Sequence, residues 1–399
     1  MNNDTLASEA KLASDLNAAA LRALAVRDYA TAAQLLRQAL GLESRNTTLW
    51  LNLAAALRGN GDIADALTVL DKALSIDPRL FFALLMKGSL LDAHGQLREA
   101  ALVYGQALSV APRQERLDQA TQRAVQRARE VNRKFVLELR EQVASVLTNV
   151  SSEASHAERM RAMLFLDHLL GIKRIYRQEP THYHYPGLQA IEFYEREEFP
   201  WIAALEAGTE VMQAELRQVL GGDEGFRPYV EYPPGTPVDQ WAELNGSRRW
   251  SAFHFYHQGN RHAENCARCP QTVSILESLG QPQVVNYMPA AMFSVLAPGT
   301  RLPPHHGVAN VRLVVHLPLI VPPGCGFRVG NQTRQWEVGK ALVFDDTIEH
   351  EAWNDSSDIR GILIFDIWSP RLGLQERRLV TSIMETIDRM MPNKPSLAL

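Results

Sequence analysis

His305-His306-Gly307-Val308-Ala309-Asn310-Val311-Arg312-Leu313-Val314-Val315-His316-Leu317 lies inside the stretch from Ser294 to Trp368 on which the reading of this chain turns. His305 follows the turn signal Ala297-Pro298-Gly299-Thr300 and the pair Pro303-Pro304. A second histidine, His350, closes Ala341-Leu342-Val343-Phe344-Asp345-Asp346-Thr347-Ile348-Glu349. Short apolar runs surround them: Val311 to Ile320, Phe327 to Val329, Lys340 to Phe344 and Gly361 to Trp368. Each is bounded by Gly, Pro, Asn or Asp, so each reads as a strand with a turn at its end. Two histidines on separate strands of a small antiparallel barrel are what a mononuclear metal site needs. Neutral imidazole suits Fe, Zn or Cu, and a sheet holds ligands more rigidly than loops do. Ten residues after His350, Arg360 stands in an otherwise apolar run, Ile359 to Phe365. An arginine directed into a barrel needs an anionic partner, and a carboxylate gripped bidentately is the best match.

Further strings carry a resemblance. The segment quoted above is similar to the metal-site segment of the aspartyl/asparaginyl β-hydroxylase family, whose members are iron- and 2-oxoglutarate-dependent oxygenases. So are Trp336-Glu337-Val338-Gly339-Lys340-Ala341-Leu342-Val343-Phe344-Asp345-Asp346, Glu349-His350-Glu351-Ala352-Trp353 and Asp366-Ile367-Trp368-Ser369-Pro370. Upstream, Tyr185-Pro186-Gly187-Leu188, Trp250-Ser251-Ala252-Phe253 and Gln258-Gly259-Asn260-Arg261 also resemble it. The resemblance spans roughly Tyr185 to Leu379, about half the chain, with its motifs in order. It implies a double-stranded β-helix (jelly-roll, cupin-like) domain with Fe(II) as cofactor and 2-oxoglutarate and O2 as cosubstrates. By register, His305 and His350 would be the metal ligands. Arg360 would clamp the distal carboxylate of 2-oxoglutarate, Ser294 would add a hydroxyl donor to it, and His316 would contact the same molecule. Arg312, Gln258 and Tyr256 would line the substrate site.

A 2-His-1-carboxylate triad wants Asp or Glu two residues after the first histidine, but Gly307 stands there. The resembling family also has Gly at this place and leaves the coordination position to water. His306 is the alternative ligand to His305, although neighbouring strand residues point to opposite faces. His316 has the alternative of being a satisfied barrel histidine. Where animal members carry two arginines near an acidic substrate, this chain has Arg312 and Val314. Val308 likewise stands in place of a Pro, and Tyr256 in place of a Trp. Losing one guanidinium removes a carboxylate clamp that Val cannot imitate, so the resemblance implies hydroxylation without fixing an Asp or Asn substrate. Asp345, Asp346 and Glu349 read as caps of the turn before His350 rather than as ligands.

Before this stretch lies a repeat. Ala32, Ala66 and Ala100 are 34 residues apart; Ala39, Ala73 and Ala107 follow, and Ser44, Pro78 and Pro112 come after those. A 34-residue period with small residues where helices cross is the tetratricopeptide signature, here in about three repeats over residues 1–115. Such arrays bind a peptide or protein, so the expected partner is a polypeptide held by the repeats. The alternatives are packing against the rest of the chain or assembly into a homo-oligomer. Residues 116–176 read as a charged helical cap and linker, with Arg127, Arg129 and Arg133 on an exposed face. The expected oxygenase domain occupies 177–399. Within it, Trp201 to Leu220 reads as one amphipathic helix, and about Gln375 to Met390 as another.

The 399 residues, 46% hydrophobic and 22% charged with a formal net charge of -4, describe a multidomain globular chain and give no reason to expect nucleic acid. No apolar run reaches the length of a membrane span. The N-terminus lacks the pattern of a secretory signal, and only three cysteines occur, so a reducing, cytoplasmic setting is expected. Cys266 and Cys269 have the spacing of half a zinc site, but with Cys325 alone a four-cysteine site is excluded, and surface thiols are expected. The leading functional expectation is hydroxylation of an amino-acid side chain, Asp- or Asn-like, in a peptide or protein. A hydroxylase of a small molecule or lipid headgroup is the second reading, and a non-catalytic repeat scaffold the third.

Overall fold

Helices pair off in the order that the 34-residue period demands, in a computed structural model whose described residues are 3–150, 154–222 and 224–391. The chain divides into two units, Met1–Ile172 and Lys173–Leu399. In the first, α1 (Asn3–Ala25), α2 (Tyr29–Leu42), α3 (Thr47–Asn60), α4 (Ile63–Ile76), α5 (Phe81–Ala93) and α6 (Leu97–Ser109) form successive antiparallel hairpins. Local chemistry sets the boundaries. Asn46 Oδ1 accepts from the backbone N–H of Thr48 and Leu49 at 3.1 and 3.4 Å, starting α3. Gly61, left-handed at φ 90°, ends it. All six periodic alanines are fully buried, which lets the helix axes approach closely.

The helix α7 (Gln119–Val150) closes this array. Its Val125, Ala128 and Val131 are buried in one cluster with Phe81, Leu84 and Tyr104, whereas Leu137 and Val146 further along are exposed. The arginines of α7 are not simply a solvated face. Arg127 pairs with Asp92 at 2.8 Å, and Arg140 holds the buried Asp167 of α8 (His156–Leu169) at 2.5 Å.

The second unit holds two antiparallel sheets. The larger has the order β1 (Arg227–Pro228), β2 (Trp250–His257), β4 (Ala291–Leu296), β11 (Arg360–Trp368), β6 (Arg312–Ile320) and β9 (Leu342–Phe344), with β3 (Asn260–Arg261) paired to β2. The smaller runs β5 (Thr300–His305), β10 (His350–Asn354), β7 (Cys325–Val329) and β8 (Gln332–Arg334). The expected apolar runs are β6, β7, β9 and β11. One buried cluster takes Trp250, Leu296, Val314 and Ile362 from the larger sheet, and Leu302, Phe327, Val329 and Ala352 from the smaller. The two inner faces therefore share a core, as in a double-stranded β-helix. The outer face of the larger sheet buries Phe253, Phe293, Val315 and Leu363 beneath helices.

Two expectations about this unit need correction. The stretch from Trp201 to Leu220 is two helices, α9 (Ile202–Ala207) and α10 (Thr209–Gly222), broken at Gly208. The cysteines are not surface thiols. Cys266 lies in α11 (Ala263–Arg268) and Cys269 just before α12 (Pro270–Ser278); both are buried, and burial pushes the Cys269 thiol up to about 12. Thiols so desolvated are poor nucleophiles and poor ligands. The last helix, α13 (Leu374–Met390), packs Val380 and Met384 inward.

The tightest point of the helical array generates a prediction. A Cβ on Gly88 of α5 would come within 2.5 Å of the Tyr104 ring of α6, which is itself buried. Gly88→Ala should gain about 1 kcal/mol of helix propensity and, with three carbons of a buried ring in the way, lose about 2–3 kcal/mol to overpacking, a net destabilisation of about 1–2 kcal/mol. Urea denaturation of the variant read by far-ultraviolet circular dichroism tests this, and an unchanged or raised midpoint would refute it.

Candidate active site

Pairing within the smaller sheet brings the two histidines together. His350 is the direct cross-strand neighbour of His305, and their ring centroids lie 4.0 Å apart. The Nδ1–H of His305 donates to the Pro303 carbonyl at 2.7 Å, and that of His350 to the Ile348 carbonyl at 3.1 Å. A carbonyl can only accept, so each Nδ1 carries the proton and each Nε2 keeps its lone pair. Burial pushes the pKa of His305 down to about 3 and that of His350 to about 4, keeping both rings neutral. Two neutral imidazoles with free Nε2 lone pairs can hold a divalent metal. Trp241 packs edge-on to His305 at 5.1 Å, and Trp250, stacked on Tyr229 at 3.9 Å, lies 6.4 Å from the same imidazole.

The larger sheet supplies the opposite wall of the same cavity, about 490 Å3 in volume. Ser294 on β4 faces it next to Ile362 of β11, and its hydroxyl accepts from Trp250 Nε1 at 3.1 Å. His316 on β6 sits among Phe327, Trp336 and Phe344, and its Nδ1 has no hydrogen-bond partner among the described residues. Arg360, at the start of β11, is only 1% exposed. Its guanidinium lies 4.9 Å from the Trp336 ring, and its Nε and Nη1 find no acceptor among the described residues. Burial lowers its pKa to about 10, so it remains a cation. A buried cation with unsatisfied donors is costly, and an anionic ligand would satisfy it.

The absence of a side chain on residue 307 has a visible reason. A Cβ there would lie 2.0 Å from Asp346 Oδ2. Asp346 therefore occupies the space that a third ligand carried on residue 307 would need. Among the described residues, no His, Cys, Asp or Glu joins the histidines in a three-donor metal group. Two imidazoles with open positions suit a metal whose remaining ligands come from a chelating cosubstrate and water. His306 is outside this arrangement, its Nε2 lying 3.8 Å from Glu179.

Of the acids expected to cap the turn, Asp345 does so, accepting from Thr347 N at 3.0 Å, and Glu349 pairs with Arg328 at 2.9 Å. Asp346 instead faces the cavity and pairs with Arg312 at 3.0 Å, while Asp366 stands 3.9 Å from the same guanidinium. Burial raises the carboxyl of Asp366 to about 6 and also raises that of Asp346.

The expected substrate contacts divide. Arg312 and Gln258 line the cavity, but Tyr256 does not. Its hydroxyl donates to Glu277 at 2.7 Å. Strict alternation along β2 would put Tyr256 on the face of Trp250, Ala252 and His254. A register shift between His254 and Tyr256 breaks that phase, so His257 lines the cavity in its place. His254, His257, Asp366, Tyr287 and Asp388 are lining residues that the reading of the sequence missed. The two histidines could have been found from the strand, but the bulge could not.

Comparison with known proteins matches a part of each unit. Residues 206–370 match the aspartyl/asparaginyl beta-hydroxylase family, and residues 23–87 match a tetratricopeptide repeat family. Aspartyl/asparaginyl beta-hydroxylase of Homo sapiens is 37% identical over 188 residues, which is 46% of this chain and 24% of that protein. The ornithine lipid ester-linked acyl 2-hydroxylase of Rhizobium tropici is 33% identical over 180 residues, 44% of this chain and 60% of that one. Aspartate beta-hydroxylase domain-containing protein 2 of Homo sapiens is 29% identical over 211 residues, 52% of this chain and 55% of that one. The chain thus spans between a quarter and about three fifths of these relatives. His305, His350 and Arg360 line one cavity, and most of the second unit, residues 206–370, matches the aspartyl/asparaginyl beta-hydroxylase family, joined here to an N-terminal array that matches tetratricopeptide repeats.

Proposed function

We propose that this protein is an Fe(II)- and 2-oxoglutarate-dependent hydroxylase. The observation that carries the reading is Arg360: a guanidinium buried in the cavity of the histidine pair with two unbonded donors. In this reading His305 and His350 hold the metal through Nε2, and Arg360 grips the distal carboxylate of 2-oxoglutarate. The Ser294 hydroxyl and the His316 imidazole flank that carboxylate. Bound there, Fe(II) with 2-oxoglutarate and O2 supplies the oxidation of a C–H bond to C–OH, with release of succinate and CO2. The protein's part is to position and to exclude. Trp241 and the Tyr229–Trp250 stack keep bulk water from the metal side, and the backbone carbonyls of Pro303 and Ile348 fix both imidazole tautomers. Asp346, held by Arg312 beside Gly307, can accept a hydrogen bond from a water placed near the metal.

The substrate in this reading is an amino-acid side chain in a peptide or protein, recruited by the repeats. The second reading is hydroxylation of an acyl chain or other small molecule. It is favoured by the Rhizobium tropici relative and by the apolar lining from Met288, Met292 and Met384.

Two measurements test the oxygenase. The wild type with Fe(II) and O2 should convert 2-oxoglutarate to succinate, and His350→Ala should show none above background. A wild type that bound neither iron nor 2-oxoglutarate would end the proposal. Arg360→Met should raise the dissociation constant for 2-oxoglutarate at least about a hundredfold, through loss of charge-assisted hydrogen bonds. The same change should stabilise the ligand-free protein by about 1–3 kcal/mol, because unsatisfied buried donors disappear. Calorimetric titration and thermal unfolding read the two effects. A destabilised variant with unaltered affinity would make Arg360 a structural residue.

A further inference from the structure

The charge balance around Arg312 bears on the substrate. This deepens the oxygenase reading and rests on it. Setting aside Arg360, whose donors await the cosubstrate, the ionic side chains lining the cavity are Arg312, Asp346, Asp366 and Asp388. The single cation is already engaged: Asp346 lies 3.0 Å and Asp366 3.9 Å from its guanidinium. Both acids are nearly sealed, at 6% and 2% exposure, and Asp346 Oδ1 has no hydrogen-bond partner among the described residues although it borders the cavity. Asp388, from the last turns of α13, is held by Asn286 Nδ2 at 2.6 Å. His254 and His257, also in the wall, are kept uncharged because burial lowers their pKa values. Val314 leaves the neighbouring strand position without a second guanidinium.

We infer that the substrate end of the cavity selects a cationic group, a primary ammonium or a guanidinium as on a basic amino-acid side chain, and rejects a carboxylate. An entering carboxylate would meet Asp346 and Asp366 and would have to displace one of them from Arg312 to gain any cation. Like-charge contact in a site of low dielectric is strongly unfavourable. An ammonium or guanidinium meets a wall in which carboxylates already outnumber the one guanidinium they share. The protein's single arginine there acts as an internal tie that orients two carboxylates, not as a clamp on the substrate.

The test uses the full chain with Fe(II) and 2-oxoglutarate under argon, after binding of 2-oxoglutarate has been measured on the same sample. Probes are L-lysine, L-arginine and L-aspartate, each free and as the central residue of an acetylated, amidated tripeptide with glycine on both sides. Calorimetric titration should show a basic probe binding at least about tenfold tighter than its acidic counterpart. Which form binds, free or in the tripeptide, separates a small-molecule substrate from a residue in a chain. Asp388→Asn should reduce the preference for the basic probe several-fold. On admission of O2, the bound probe should raise succinate formation and gain 16 mass units, about one oxygen atom. Tighter binding of the aspartate probes, equal binding of both charges, or no binding of any probe to a protein that does bind 2-oxoglutarate would overturn the inference and leave the oxygenase reading intact. Failure to bind 2-oxoglutarate would overturn both.

Discussion

A guanidinium enclosed between two sheets, with two of its donors unbonded, is the constraint around which the rest of the site is arranged. Among the described residues no acceptor replaces the hydration lost by Arg360 Nε and Nη1 on folding, and the nearby Trp336 ring returns only part of it. Such a position is tolerated because the surrounding strands over-determine it. Arg360 opens β11, which pairs with β4 on one side and β6 on the other, so its backbone cannot relax toward solvent. The apolar strands thereby leave a desolvated cation in the cavity wall, while the same burial keeps the two histidines neutral.

The two-histidine centre follows from sheet geometry together with one small residue. Cross-strand neighbours on a single face bring two imidazoles into contact without a loop to order. Gly307 gives up the usual carboxylate ligand, and Asp346 fills the vacated volume from the other chain segment. A carboxylate is therefore kept close to the centre but is tied to Arg312. This converts what would be a ligand into a hydrogen-bond acceptor. In the proposed reading it also removes Arg312 from the groups available to an acidic substrate, so that one rearrangement would set both the open positions of a bound metal and the polarity of the substrate end.

The helical unit solves a different problem. Its helices α2 to α6 are only 13 or 14 residues long, and each would be marginal alone. Alanines at the crossing points and Gly88 against Tyr104 permit close approach, and the apolar faces then bury one another in series. α7 ends the series by turning an apolar stripe toward α5 and α6 and charge toward solvent, with Arg127 tied to Asp92. A stack of this kind depends on nearest-neighbour contacts and needs such an end cap.

By itself the sequence determined whatever is local or periodic. The 34-residue spacing specified the helical hairpins, because equivalent crossings recur at equal intervals. Turn residues bounding apolar runs specified β6, β7, β9 and β11, because strand ends need backbone conformations that Gly, Pro, Asn and Asp supply. His305, His350 and Arg360 were legible from their residue types at strand ends, since a polar group in an apolar strand needs a reason. Tertiary structure alone decided which face each side chain takes once a strand is irregular, and which charges meet across the cavity. The bulge after His254 turned Tyr256 outward and His257 inward, and nothing in the alternation of residues encodes that slip. Asp346, Asp366 and Arg312 come from separate strands and a turn, so their pairing exists only when the sheets close. Burial of Cys266 and Cys269 likewise follows from helices laid over the larger sheet, a long-range packing that no spacing of two cysteines reveals.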